Sequence, residues 1–131
     1  MKIYLDENLS HHVAAALNLL CKGDFADIEV LSTIDKFGRG ATDEVIIPAL
    51  GDEGGILISR DLHIVKTRHQ HELCNKYKLG AFFLKLSKGE SKHWEIVKLL
   101  ISKWEGIIEK CRSSRKPFGY IIHKAGKFQP M

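Results

Sequence analysis

Three aspartates stand where chemistry could be done. Asp6 follows the short apolar run Lys2–Leu5, Asp43 follows Thr42, and Asp61 follows Ile56–Ile58 across the step Ser59-Arg60. In an open α/β sheet, ligands bind outside the carboxyl ends of the strands, so residues placed directly after strands share one edge. Asp43 opens a helix on which Ile46, Ile47 and Leu50 share its face, and that turns it inward. Carboxylates gathered in this way repel and raise one another's pKa unless a cation neutralises them. Magnesium and manganese, hard ions that take oxygen ligands, suit such a set. A metal there can hold a phosphodiester, lower the pKa of an attacking water and stabilise the leaving oxygen. Metal-assisted phosphodiester hydrolysis is therefore the expected reaction, with Asp6, Asp43 and Asp61 as metal ligands and catalytic groups.

Each acid also has a plainer role open to it. Asp43 behind Thr42 suits the positive end of a helix, and Asp6 and Asp61 could accept local backbone donors in loops. Their joint placement on one edge favours the metal site. Glu7 and Glu44 adjoin the first two acids; direct neighbours point elsewhere on an element, so these are supporting residues at most. Asn8 either orients a carboxylate or caps a helix, and capping is the expected role. The basic residues Lys36, Arg39, Arg60, Lys66 and Arg68 gather near the same edge. Arg39 and Arg60 are the expected phosphate contacts, because guanidinium binds phosphate bidentately. Neither the His11-His12 pair nor His69 and His71 has the i, i+4 spacing that puts two ligands on one helix face, so these read as surface or RNA-facing residues.

The elements that must position these residues alternate along the chain. Lys2–Leu5 reads as a strand, followed by a helix over Leu9, Val13, Ala16, Leu17 and Leu20 that Asn8 or Ser10 caps. Ile28, Val30 and Leu31 form a second strand, and the loop Lys36–Gly40 leads to a helix starting at Asp43 with Thr42 as its N-cap. Pro48 makes that helix short or kinked. Ile56–Ile58 is a continuous apolar strand of the kind buried on both faces of a parallel sheet. A helix over Val65–Tyr77, a strand over Ala81–Leu86, a long helix over Ser91–Cys111 and a last strand over Phe118–Ile122 complete the order. The long helix shows an apolar stripe of Trp94, Val97, Ile101, Trp104 and Ile108. Alternation of this kind predicts a three-layer α/β/α sandwich with a mainly parallel sheet, its last strand an antiparallel edge, in a single domain spanning 1–131.

The bulk properties are compatible with that fold. A chain of 131 residues with 44% hydrophobic and 27% charged residues is globular in composition. The opening Met-Lys-Ile-Tyr-Leu-Asp meets an acid too soon for a signal peptide, and no apolar run is long enough to span a membrane, so a cytoplasmic protein with no membrane partner is expected. Cys21, Cys74 and Cys111 are scattered and odd in number, which argues for buried free thiols. A net charge of +4 and a pI near 9.0 suit a polyanionic partner.

The segments Leu5-Asp-Glu-Asn-Leu9, Thr42-Asp-Glu44 and Ile58-Ser-Arg-Asp61 resemble the PIN-like domains of VapC-type toxins, most nearly the compact branch of ribonucleases whose first strand ends in Asp-Glu-Asn-Leu. The likeness extends over Phe82-Phe-Leu84, the helix of Trp94 and Trp104, and the segment Phe118–Phe128. It implies a PIN-like, Rossmann-like endoribonuclease that binds Mg²⁺ or Mn²⁺, acts on RNA, forms a homodimer and is neutralised by a cognate antitoxin. Carried over, Asp6, Asp43 and Asp61 become the metal ligands and Ser59 the small hydroxyl residue that supports them. Related sequences often place a further Asp two positions after the third ligand, where this chain has His63. A neutral imidazole can bind a metal or position a water, and favours softer ions than magnesium. That departure leaves room for a catalytically inactive PIN-like module that dimerises or docks a partner. A receiver-type phosphoacceptor domain, which also carries acids after its first and third strands, would give Asp43 no role.

Overall fold

The computed structural model describes residues 1–61, 63–87, 89 and 92–131. In chain order its elements are β1 (Lys2–Leu5), α1 (His11–Cys21), β2 (Glu29–Ser32), α2 (Thr33–Phe37), α3 (Asp43–Asp52), β3 (Ile56–Arg60), α4 (Ile64–Lys76), β4 (Gly80–Leu84), α5 (His93–Ser113), β5 (Phe118–Ile122) and β6 (Gln129–Pro130). Among the described residues the strands form one six-stranded sheet in the order β2-β1-β3-β4-β5-β6. The first five are parallel, and β6 runs antiparallel to β5. The expected antiparallel edge is therefore β6, whereas Phe118–Ile122 pairs parallel with β4. The long α5 crossover carries the chain back to the starting end of the sheet, as a parallel connection requires.

Side-chain alternation divides the sheet into two faces. Ile3, Leu5, Ile56, Ile58, Phe82 and Leu84 pack under α1 and α5, while Tyr4, Leu57, Ala81 and Phe83 pack under α3 and α4. This is the expected three-layer α/β/α arrangement. Strands covered on both sides are apolar throughout, which explains why Ile56–Ile58 shows no polar alternation. Among the described residues, no helix is long and apolar enough to cross a membrane.

Several boundaries and faces depart from the sequence reading. The turn at Thr33–Phe37 is helical, capped by the Ser32 side chain on the Ile34 N–H, where only a loop was expected to follow the second strand. α1 is capped by Ser10, whose side chain accepts from the His12 N–H. It buries Val13, Ala14, Leu17 and Cys21, and leaves Leu20 64% exposed. α5 buries Ile96, Leu100, Trp104, Ile107 and Cys111, and turns Trp94 and Ile101 outward. Its apolar residues cover more than one face, so a heptad-like stripe through Trp94 and a steeper one through Ile96 were both present, and sheet contact selected the second. The expected start of that helix at Ser91 lies outside the described residues. β3 runs on through Ser59 to Arg60, and β4 begins at Gly80 and ends at Leu84.

α3 passes through Pro48 and ends within ten residues, short as expected. It lies close against the C-terminal end of α4. A Cβ on Gly51 would stand 2.6 Å from the Tyr77 carbonyl oxygen. That approach sets where α3, and hence Asp43 at its start, meets α4. Alanine normally favours a helix position over glycine by up to about 1 kcal/mol. Here the obstacle is backbone and cannot swing away, so overpacking outweighs propensity. Gly51→Ala is expected to lower stability by about 1–3 kcal/mol in urea unfolding; an unchanged or higher midpoint would show that the two helices do not pack so closely.

Candidate functional site

The strand order reverses between β1 and β3. The chain leaves β1 for β2 on one side and returns to β3 on the other, and such a switch point opens a crevice at the carboxyl ends of the two strands. Asp6 and Ser59 lie there. The Asp6 N–H donates to the Ile58 carbonyl at 2.9 Å, so Asp6 continues the β1–β3 ladder, and its own carbonyl accepts from Leu9 in the turn that follows. Asp6 is only 4% exposed.

A carboxylate this buried needs donors; β3 and α4 supply them, and the turn after β1 supports the first. Ser59, fully buried, donates from Oγ to Asp6 Oδ2 at 3.1 Å and accepts from Asn8 Nδ2 at 3.2 Å. From α4, Gln70 Nε2 reaches Asp6 Oδ2 at 3.4 Å and Asp43 Oδ1 at 3.3 Å. Ser59 Oγ also lies 3.4 Å from Gln70 Oε1; with a single hydroxyl proton, the shorter bond to the charged Asp6 is the stronger. Asp43 is the first residue of α3. Thr42 is its N-cap by backbone, the carbonyl accepting from Val45 and Ile46, while the threonine hydroxyl makes no capping bond. Burial raises the Asp43 pKa, with Asp6 and Glu44 adding to the rise and Gln70 and Lys66 opposing it. Beneath the pair, burial and the nearby Asp43 and Asp6 push the Cys74 thiol up to about 12.

The pair opens into a cavity of about 280 Å³ lined by Asp6, Glu7, Asp43, Glu44, Lys66 and His69, with Gly40–Thr42 along one side. Glu7 Oε2 accepts from the Gly40 N–H at 3.1 Å; Gly40 has φ +78°, a conformation glycine adopts freely. Glu44 pairs with His69 at 2.7 Å, and that hydrogen bond holds the Glu44 carboxyl below its ordinary range. Glu7 and Glu44 therefore line the cavity itself, although neighbours of the ligands were expected to point elsewhere.

Other expected site residues stand apart. Asp61 follows β3, its N–H bonded to the Leu84 carbonyl, and its carboxylate accepts from Thr67 Oγ1 at 2.8 Å. It does not line the cavity, and among the described residues no group of three His, Cys, Asp or Glu side chains is placed to hold a metal ion. His63 is the exposed N-cap of α4. Arg60 pairs in register with Leu84, whose side chain packs under α1 and α5, so alternation turns it to the face opposite Asp6 and Ser59. Arg39 is exposed in the loop beside Gly40. Lys36 is ion-paired with Glu53 at the far end of α3, away from this edge.

Two residues had another place in the sequence reading. Asn8, expected as a helix cap, holds Ser59, and its Oδ1 is buried without a partner among the described residues. Gln70, between His69 and His71, had no role assigned to it there. Its signal was the inward stripe of α4, Thr67, Gln70 and Cys74, which is polar where a core helix is normally aliphatic.

The family model for the PIN-like domain matches residues 1–86, which takes in Asp6, Asp43, Ser59 and Gln70. No curated protein and no solved structure matches the chain. PIN-like domains are in general nucleases. On a match covering well over half its length, this chain belongs to the PIN-like domain family.

Proposed function

We propose that the chain is a metal-dependent endoribonuclease, the toxin of a toxin–antitoxin pair, that hydrolyses RNA phosphodiesters at the cavity of Asp6 and Asp43. The observation that carries this reading is the meeting of two carboxylates, from β1 and α3, over one amide at the switch point of the sheet. Mg²⁺ or Mn²⁺ fits the donors present. The cavity offers carboxylate oxygens, Asn8 Oδ1 has no partner among the described residues, and burial pushes up the Cys74 thiol beneath, which disfavours soft metals. Magnesium is commonly held by one or two carboxylates, with water and substrate phosphate completing its shell. When bound, such an ion supplies charge neutralisation and an activated water.

The chain's own residues do the rest. Asp6 and Asp43 hold the ion, with Asp61 the third carboxylate of the edge, bonded here to Thr67. Lys66 lines the cavity and offsets the negative charge around Asp43, so it is placed to meet a phosphate. Arg39, exposed beside Gly40, can follow the RNA backbone. The VapC-type assignment, with an antitoxin as protein partner and a homodimer as working form, rests on the resemblance of Leu5–Leu9, Thr42–Glu44 and Ile58–Asp61. A second reading, a PIN-like module that binds without cleaving, is favoured by the position of Asp61 outside the cavity and by His63 in place of an acid.

Cleavage of a single-stranded RNA set with Mg²⁺ or Mn²⁺ tests the proposal. Asp6→Asn is expected to lower the rate about 100-fold or more, the scale of losing one electrostatic stabiliser. Equal rates would refute the nuclease reading at this site. Metal binding by the wild type with no cleavage of any RNA would support the binding module.

A second prediction follows from the raised Asp43 pKa. A carboxyl whose folded value lies above its unfolded one contributes stability below its ordinary value of 3.8, and that contribution is lost as pH rises through the folded value. At neutral pH the ionised side chain is therefore a liability when no cation is present. Without divalent ions, Asp43→Asn should raise Tm at pH 7 by roughly 2 °C and leave it unchanged at pH 3. A lower Tm at pH 7 would mean that Asp43 is well stabilised as an anion by the protein itself.

A further inference from the structure

We propose that Gln70 is the positioning residue of the acidic pair: its amide nitrogen fixes one oxygen of Asp6 and one of Asp43, and so presents the two carboxylates together to a divalent cation. This rests on the reading of the cavity as a cation site. Gln70 is fully buried, and an amide is costly to bury unless its bonds are made. Among the described residues its side-chain bonds all end on Asp6, Asp43 and Ser59. None ends on backbone, as a glutamine serving only the fold would be expected to show.

The bonding pattern divides each carboxylate in two. Asp6 Oδ2 takes both Ser59 and Gln70, and Asp43 Oδ1 takes Gln70, while Asp6 Oδ1 and Asp43 Oδ2 have no hydrogen-bond donor among the described residues. An amide NH₂ has two protons, enough to hold one oxygen of each acid. It lies where two like charges would otherwise push apart, and it leaves lone pairs on both for a cation. Metal ligands are normally fixed by such partners behind them, whose loss costs about 10–100-fold in metal affinity or activity. Gln70 comes from α4, whereas its two targets come from β1 and α3, so the residue also ties three elements at the switch point.

Calorimetric Mn²⁺ titration and Mn²⁺-induced change in Tm, in wild type, Gln70→Leu and Gln70→Glu, test this. Gln70→Leu keeps similar bulk but has no donor, and should bind Mn²⁺ about 10–100-fold more weakly. Gln70→Glu sets a third carboxylate against the pair. It should melt below wild type without metal and gain more from Mn²⁺ than wild type does, a response that a glutamine merely filling space would not produce. Wild-type affinity in Gln70→Leu, or equal Mn²⁺-induced Tm changes in all three proteins, would overturn the assignment of Gln70 while leaving the metal site standing. No Mn²⁺ binding to the wild type would overturn both the metal reading and this one.

Discussion

A buried carboxylate must be met by donors or by a cation, and Asp6 beside Asp43 doubles that demand. Much of the local structure answers it. β3 runs two residues past its apolar core so that Ser59 falls beside Asp6, and Asn8 supports the serine hydroxyl from the turn after β1. α4 carries an amide inward where a leucine would pack as well, and α3 begins at the residue that this amide reaches. Neutral donors offset the charge only in part, and the raised Asp43 pKa records the remainder. The two acids are thus held together by bonds from β3 and α4.

The frame works because of strand order. With β1 and β3 adjacent and their crossovers leaving in opposite directions, a crevice opens between their carboxyl ends. α3 and α4 pack against each other on one side of that crevice, close enough that Gly51 has no room for a Cβ against Tyr77. The positions of Asp43 and Gln70 are thus consequences of helix packing some distance from the acids.

The succession of strands and helices, and the placement of Asp6 after the first strand and Asp43 at a helix start, could be read from the sequence, because each depends on local features. Apolar runs mark the strands, an acid after a strand marks the edge, and Thr42 before Asp43 marks a helix start, whereas Ser59 was marked by the family resemblance. Gln70 and Asn8 could not, since their roles are bonds to residues distant in sequence, and neither type is diagnostic on a helix or in a turn. The faces of α1 and α5 were misread for a different reason. Leu20, Trp94 and Ile101 are apolar yet exposed, so periodicity offered more than one stripe and only contact with the sheet chose between them. Arg60 fails by one residue of register: once β3 continues through Ser59, alternation sends the next side chain to the other face.

The two faces of the sheet divide the work. On the α1/α5 side the buried cluster is the larger, built from aliphatic and aromatic residues of every strand from β1 to β5. On the α3/α4 side the cluster is smaller, and the inward stripe of α4 is Thr67, Gln70 and Cys74. A helix so poor in apolar contacts adds little of its own to stability, so the opposite layer must supply it. α5 supplies most of that layer, and it lies beyond residues 1–86, the part matched to the family. The matched segment thus holds the acids and their amide, and the segment after it completes the cover that α1 begins on the opposite face. That division lets α4 keep a polar, site-facing stripe in a chain of only 131 residues.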